Sequence, residues 1–261
     1  MDFNNFYIIP DRNEIDSFIE LSKKYGFKFE YNDFFLPFNL DKKSYVDETV
    51  NFYKNHKDMP EGNTLHGSFL DVTIFSRDDN IRKASEYRLR ESMEIAKEIG
   101  AKAVIIHTNF IPNFKDDAYE NYWVEANVLF IKKLLVEFPD ISIYMENMFD
   151  IEPVLLLRLA KELEDEKRFG ICLDYAHVNV FGKAVAPMEW LEKLAPYIKH
   201  LHINDNDLIK DSHLSLGEGK IEYKEFFEFY KKKLSSVPIL LEMNGLEKIN
   251  KSIEYLIQIQ Q

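Results

Sequence analysis

Short apolar runs rich in β-branched and aromatic residues alternate along the chain with longer stretches whose apolar positions recur every three or four residues. The first pattern suits a buried strand and the second an amphipathic helix; their alternation is what βαβ units around a parallel sheet require. Eight strands are predicted, at Phe6 to Ile9, Phe27 to Tyr31, Thr64 to Phe69, Ala103 to His107, Ile141 to Glu146, Gly170 to Asp174, Ile198 to Ile203 and Pro238 to Glu242. A helical segment follows each, giving eight of each element. The clearest helix spans Asp79 to Ile99, where Leu89, Met93, Ala96 and Ile99 share one face and Gly100 follows as a C-cap. A second runs from Ala118 to Phe138, with Val124, Val128, Ile131 and Leu135 in one stripe and Pro139 as its stop. The last, Glu247 to Ile257, closes the ring. No linker or low-complexity tract interrupts this order, and 261 residues is close to the roughly 250 typical of one such barrel. The expected fold is a single α/β domain over 1–261, a (β/α)8 TIM barrel.

Six of these strands carry a residue able to bind metal at their C-terminal ends: His66, His107, Glu146, Asp174, His202 and Glu242. In a barrel those ends converge on one face, and interior residues alternate with helix-facing ones, so the six side chains would meet. One acidic residue after a strand is ordinarily a helix N-cap or a solvated loop group, and a lone histidine is no stronger a signal. Several carboxylates sharing a pocket are costly unless a cation neutralises them. Metal is therefore the simplest explanation of the set. His177, three residues after Asp174, and Asp211 and His213, in the long loop after the seventh strand, extend it.

Charge narrows the partners. With 45 acidic against 33 basic residues the net charge is -12, which disfavours nonspecific attraction to phosphate backbones or anionic lipid. Cys172 is the only cysteine, so no internal disulfide can form and a reducing cytoplasm is expected. Cys172 should point inward beneath Asp174 as a small packing residue. Met1 to Glu14 shows neither a basic nor an apolar run, and no stretch reaches the roughly 20 apolar residues of a membrane span, so a soluble protein without a membrane partner is expected. Glycine-rich phosphate loops, HExxH helices and nucleophile elbows are lacking.

The segments LHGSF, VIIHTN, YMEN, LDYAH, HLHIND, DSHLSLGEG and LLEMN, in this order from His66 to Glu242, resemble the motifs of the xylose isomerase-like TIM barrels. That superfamily includes sugar isomerases and epimerases, inosose dehydratases and endonuclease IV-type apurinic endonucleases. The resemblance implies that Glu146, Asp174, His202 and Glu242 hold one divalent ion as in sugar epimerases, with Glu146 and Glu242 also flanking the substrate as acid and base. His177 would orient a substrate hydroxyl. In the endonuclease IV pattern His66, His107 and Glu146 hold one zinc, Glu146 joins the other three around a second, and His177, Asp211 and His213 hold a third. Three carboxylates with one imidazole suit Mn²⁺, Mg²⁺ or Co²⁺, whereas the histidine-rich extension favours Zn²⁺. Mn²⁺ and Zn²⁺ rank first.

Loop chemistry separates the two branches. The loop after the second strand reads NDFFLPFNLD, with Phe34, Phe35, Leu36 and Phe38, and the loop after the fourth adds Phe110, Ile111, Pro112 and Phe114. They are either packing groups or an apolar wall over a small ligand. Arg77, Lys115, Lys183 and Lys210 are basic positions near this face, enough for one phosphate group but sparse for a duplex. Phe69 stands where endonuclease IV enzymes commonly place a tyrosine. Glu30 ends the second strand, where it either bonds a substrate hydroxyl or pairs with a neighbouring loop. His200 should lie one layer below His202. The reading is a metal-dependent sugar or sugar-phosphate isomerase or epimerase, acting by proton transfer beside a metal-bound carbonyl through an enediolate. Substrate contacts fall to His177, Glu30, Phe34, Phe69 and Phe110, and nucleic acid is disfavoured as a partner. The alternatives are an endonuclease IV-like hydrolase and a non-catalytic carbohydrate-binding barrel. The resemblance also allows a homo-oligomer, although no interface is legible.

Overall fold

The computed structural model describes residues 3–112, 114 and 116–259. Eight strands, β1 (Phe6–Ile8), β2 (Lys28–Tyr31), β3 (Thr64–His66), β4 (Ala103–His107), β5 (Ser142–Glu146), β6 (Phe169–Asp174), β7 (Ile198–Ile203) and β8 (Ile239–Leu241), run parallel and close into a barrel where β8 pairs with β1. The fold is the expected single (β/α)8 barrel. Strands β4 and β7 occupy the expected residues, and the largest difference is β3, which ends at His66 instead of Phe69. Gly67 makes the last ladder bond, to the Ile105 carbonyl at 2.8 Å, and the next amide, Ser68, turns to the Ser92 hydroxyl instead.

Among the described residues there are ten α-helices rather than eight: α1 (Ile15–Tyr25), α2 (Pro37–Leu40), α3 (Lys43–Asn55), α4 (Asp79–Ile99), α5 (Asp117–Glu137), α6 (Val154–Glu162), α7 (Tyr175–Phe181), α8 (Pro187–Leu194), α9 (Tyr223–Phe229) and α10 (Leu246–Gln258). The additions are short segments after β2 and β6, and α2 and α8 each begin on a proline, which fits the first helical turn because its amide there needs no partner. Helix α4 has the expected limits: Asp78 caps its first amides and Gly100 ends it at φ 76°. No helix among the described residues is long and apolar enough to cross a membrane.

The apolar core lies mainly between strands and helices. Leu65, Val104, Ile143, Leu173, Leu201 and Leu241 on the strands meet helix residues such as Met93, Ile131, Leu134 and Leu156. Each fully buried aliphatic side chain contributes about 1.5–3 kcal/mol, so this outer layer supplies much of the stability. Inside the barrel the separate apolar cluster among the described residues is Tyr7, Ile9 and Leu240. The remaining interior positions toward the C-terminal ends are largely polar, and the chemistry is concentrated there.

Candidate metal centre

Glu146 ends β5, Asp174 ends β6, His202 lies in β7 and Glu242 follows β8. Each offers one ligand atom, and the four atoms lie within 4.8 Å of one another. His202 Nδ1 is 3.3 Å from Glu146 Oε2 and 3.6 Å from Glu242 Oε2. All four side chains are buried, Glu242 retaining only 5% exposure. Both carboxylate oxygens of Glu146, Asp174 Oδ2, Glu242 Oε2 and His202 Nδ1 have no hydrogen-bond partner among the described residues. Burying an unpaired polar atom typically costs about 1–3 kcal/mol, and more when it is charged. Orphans gathered at one point fit a divalent cation, and a set of three carboxylates and one imidazole fits a hard or borderline ion.

Two histidine groups flank this core. On one side His66, His107 and Glu146 form a second cluster within the same 4.8 Å limit. His107 Nε2 is 3.0 Å from His66 Nε2 and 3.1 Å from Glu146 Oε2. On the other side, His177 Nε2 and His213 Nε2 approach the same oxygen, Asp211 Oδ2, at 3.2 and 2.9 Å. The second ring nitrogens are held by backbone carbonyls: His66 Nδ1 by Gly67 at 3.2 Å, His177 Nδ1 by Asn147 at 2.9 Å and His213 Nδ1 by Glu242 at 2.7 Å. A carbonyl only accepts, so these contacts place the proton on Nδ1 and turn Nε2 toward the site.

Local chain geometry explains each placement. Asp174 caps α7 by accepting from the His177 amide at 2.5 Å, which seats His177 beside the strand ends. The loop carrying Asp211 and His213 is anchored by Asp205, whose carboxylate accepts from the amides of Asn206, Gly217, Gly219 and Ile221 at 2.9–3.1 Å. A Cβ on Gly219 would sit 2.2 Å from Asp205 Oδ1, so this approach needs glycine. His213 itself is held at φ 45°, a region a non-glycine residue seldom occupies and one often found at functional sites. Glu218, between the two glycines, is exposed and pairs with Lys251 at 2.8 Å, so it serves the turn.

The electrostatics reflect crowding. Burial opposes ionisation of Glu146, yet the imidazoles of His107 and His202 hold its carboxyl well below the usual range. Glu242 goes the other way: burial, helped by Asp174 and Glu146, pushes it well above that range despite His202 and His213. Burial and neighbouring His107 lower His66 to about 4. His213, although burial opposes its charge, is raised to about 10 by Glu242 and Asp211. Burial pushes the Cys172 thiol well above its usual value, in keeping with a packing residue and not a nucleophile.

A cavity of about 510 Å³ opens above these groups, lined by His66, His107, His177, Asp211, His213 and Glu242 together with Ile9, Phe35, Phe69 and Met148. Phe35 and Phe69 stack at 5.5 Å, and Phe69 also stacks on His107 at 4.5 Å. Three expected substrate contacts are corrected. Phe34 is fully buried against Tyr53, and its neighbour Phe35 faces the cavity. Phe110 packs on Tyr119 and Trp123 and borders a different hollow with Asp150. Glu30 is buried beneath His202 and meets strand histidines, neither a loop nor the cavity. Among the basic positions, Arg77 lies over the Tyr122 ring, Lys183 binds the Asn179 carbonyl, Lys210 is exposed, and Lys115 lies outside the described residues. Lys248 is the one lysine or arginine lining the cavity among the described residues. The sequence alone does not mark it, because nothing in its spacing separates it from the other polar positions of α10.

Comparison with known proteins extends this picture. The model of the xylose isomerase-like TIM barrel family matches residues 19–259. The uncharacterized protein MJ1311 of Methanocaldococcus jannaschii is 29% identical over 200 residues, 74% of this chain and 68% of its own length. A probable endonuclease 4 of Mycoplasma pneumoniae is 22% identical over 216 residues, 76% of this chain and 73% of its own. Among solved structures, the TTHB071 protein of Thermus thermophilus, soaked with ZnCl2, superposes with a TM-score of 0.76 at 20% identity, covering 98% of this chain and 97% of that one. A D-tagatose 3-epimerase-like protein gives 0.74 at 24% identity, covering 97% and 96%. With the family model spanning nearly all of the barrel, the chain belongs to the xylose isomerase-like TIM barrel family.

Proposed function

We propose that this protein is a metal-dependent isomerase or epimerase of sugars or sugar phosphates that carries one catalytic ion on Glu146, Asp174, His202 and Glu242. One contrast carries the reading. The inward atoms of those four residues lack a hydrogen-bond partner among the described residues and gather at one point, whereas His66 and His107, and likewise His177, Asp211 and His213, meet one another at hydrogen-bonding distance and leave only His107 Nδ1 and Asp211 Oδ1 unpaired among the described residues. The core needs a cation to offset its burial; the flanking groups form a polar wall without one.

When bound, Mn²⁺ or Zn²⁺, or alternatively Mg²⁺ or Co²⁺, would supply Lewis acidity toward a substrate carbonyl. Glu242, the core carboxylate that lines the cavity, would move a proton at the carbon beside that carbonyl, and Glu146 would serve as its counterpart from β5. His177, fixed by the Asn147 carbonyl, would orient a hydroxyl through Nε2. Phe35 and Phe69 would exclude water from one side of the ligand. The volume suits a small molecule, and the acidic chain, with one lysine lining the cavity among the described residues, supports a sugar over a duplex.

The test is solvent deuterium incorporation into a panel of ketoses, aldoses and inososes, with metal content measured on the same preparation. Exchange beside the carbonyl with one tightly held ion is expected. Three zincs with incision of abasic DNA would establish the endonuclease IV-like reading, which the complete nine-residue ligand set and the endonuclease 4 relative favour. Tight sugar binding with neither activity would leave a non-catalytic barrel.

A further inference from the structure

We infer that Glu30 is a positioning residue for the metal centre, fixing His202 with its proton on Nε2 so that Nδ1 is free to bind the ion. This rests on the proposed four-residue centre. A neutral imidazole offers a lone pair from one nitrogen only, and the nitrogen that binds metal is chosen by what the other one meets. His202 Nδ1 faces Glu146 and Glu242, while Nε2 lies at ion-pair distance, 3.1 Å, from Glu30 Oε1 on the side away from the cavity, and neither of these two atoms has another hydrogen-bond partner among the described residues. The ring nitrogens of His66, His177 and His213 that face away from the flanking groups rest on neutral backbone carbonyls. His202 instead meets a carboxylate, which makes Nδ1 a stronger donor.

Glu30 is itself held. Its Oε2 accepts from Thr64 Oγ1 at 2.7 Å and lies 3.2 Å from His200 Nε2. The His200 ring is set edge-on to Tyr7 at 5.1 Å and stacks on Tyr144 at 6.1 Å. Glu30, His200 and His202 are at most 1% exposed, so no solvent competes for these contacts. Thr64, Glu30 and His200 form a polar layer one step below the ligands, and that layer braces His202 from beneath.

The experiment titrates Co²⁺ into chelator-stripped wild-type protein and Glu30→Gln, reading affinity and the visible spectrum, with ¹⁵N NMR of the imidazoles in both. Gln keeps the shape but removes the charge. Expected are a loss of Co²⁺ affinity of about 10–100-fold, an altered cobalt spectrum, and, in Zn²⁺-loaded wild type, a His202 signal with its proton on Nε2 that changes in the variant. Thr64→Val and His200→Gln, which loosen Glu30 without removing it, should show smaller losses in the same direction and serve if Glu30→Gln does not fold. Equal affinity with an unchanged spectrum in all folded variants overturns the role of Glu30 while leaving the metal centre intact. A wild-type protein that binds no Co²⁺ overturns the centre itself.

Discussion

The four-ligand core and the histidine groups beside it are made of the same residue types at the same end of one barrel, yet they differ in how their polar atoms are satisfied. In the core, Glu146, Asp174, His202 and Glu242 point orphaned atoms at a common space. In the flanks, His66 meets His107, and Asp211 takes two imidazoles on one oxygen. Ligand identity alone makes all nine residues candidate metal ligands. The convergence of unpaired carboxylate oxygens on one point, against the single unpaired atoms of His107 and Asp211 in the flanks, separates residues that need an ion from residues that can stand as a polar wall around a substrate.

The largest effect that would break this comparison lies at Glu146, which is shared by the core and the strand-side flank. Glu146→Gln should remove the tightly bound ion and lower solvent exchange into substrate by about 10²–10⁴-fold, the range for loss of a positioned acid or base. Circular dichroism should remain that of a folded barrel, because Gln has nearly the same volume. Wild-type exchange in this variant would withdraw both its metal and its proton-transfer role.

A smaller effect sharpens the flank side. His213→Gln should leave metal content unchanged and, by removing one of the two imidazoles on Asp211 and so loosening the wall that holds His177, raise KM roughly tenfold, the worth of one hydrogen bond of about 1.4 kcal/mol; loss of one ion would instead mark a multinuclear centre. The same residue predicts a pH signature. Its folded pKa of about 10 lies above the usual value near 6.5, so the metal-free native state binds more protons than the unfolded chain between those limits. Its contribution to stability is full below about 6.5 and declines as pH rises toward 10. Thermal melts of the metal-free protein should fall across that window, and His213→Gln should flatten the fall.

How much of this is legible in the sequence follows the same division. Strand-borne ligands can be read because a strand has a period of two and a barrel forces its ends together: His107, Glu146, Asp174 and His202 need only correct strand ends. His200 can be placed a layer below His202 for the same reason. Asp211 and His213 carry no such signal, since their position depends on four amides gathered by Asp205 and on a left-handed backbone at His213. Only the order of motifs points to them. The sequence misplaces Glu30 because it locates the strand end but not the depth of the side chain relative to the cavity. Phe34 and Phe35 show the limit most clearly: they follow β2, where alternation has stopped, so their facing cannot be deduced from their spacing.

That adjacent pair gives the smallest and most selective prediction. Phe34 is fully buried against Tyr53, whereas Phe35 is partly exposed and stacks on Phe69 at the cavity wall. Phe34→Ala should cost about 3–5 kcal/mol of stability by leaving a hole in the packed layer. Phe35→Ala removes an aromatic contact worth about 0.5–1.5 kcal/mol beyond its area, so its melting temperature should shift by only a few degrees while KM for a sugar substrate rises a few-fold. The two measurements must separate: denaturant unfolding reads Phe34, and substrate titration reads Phe35. If Phe35→Ala left substrate binding untouched, the aromatic wall would be packing alone and the ligand would have to be held from the side of His177 and His213.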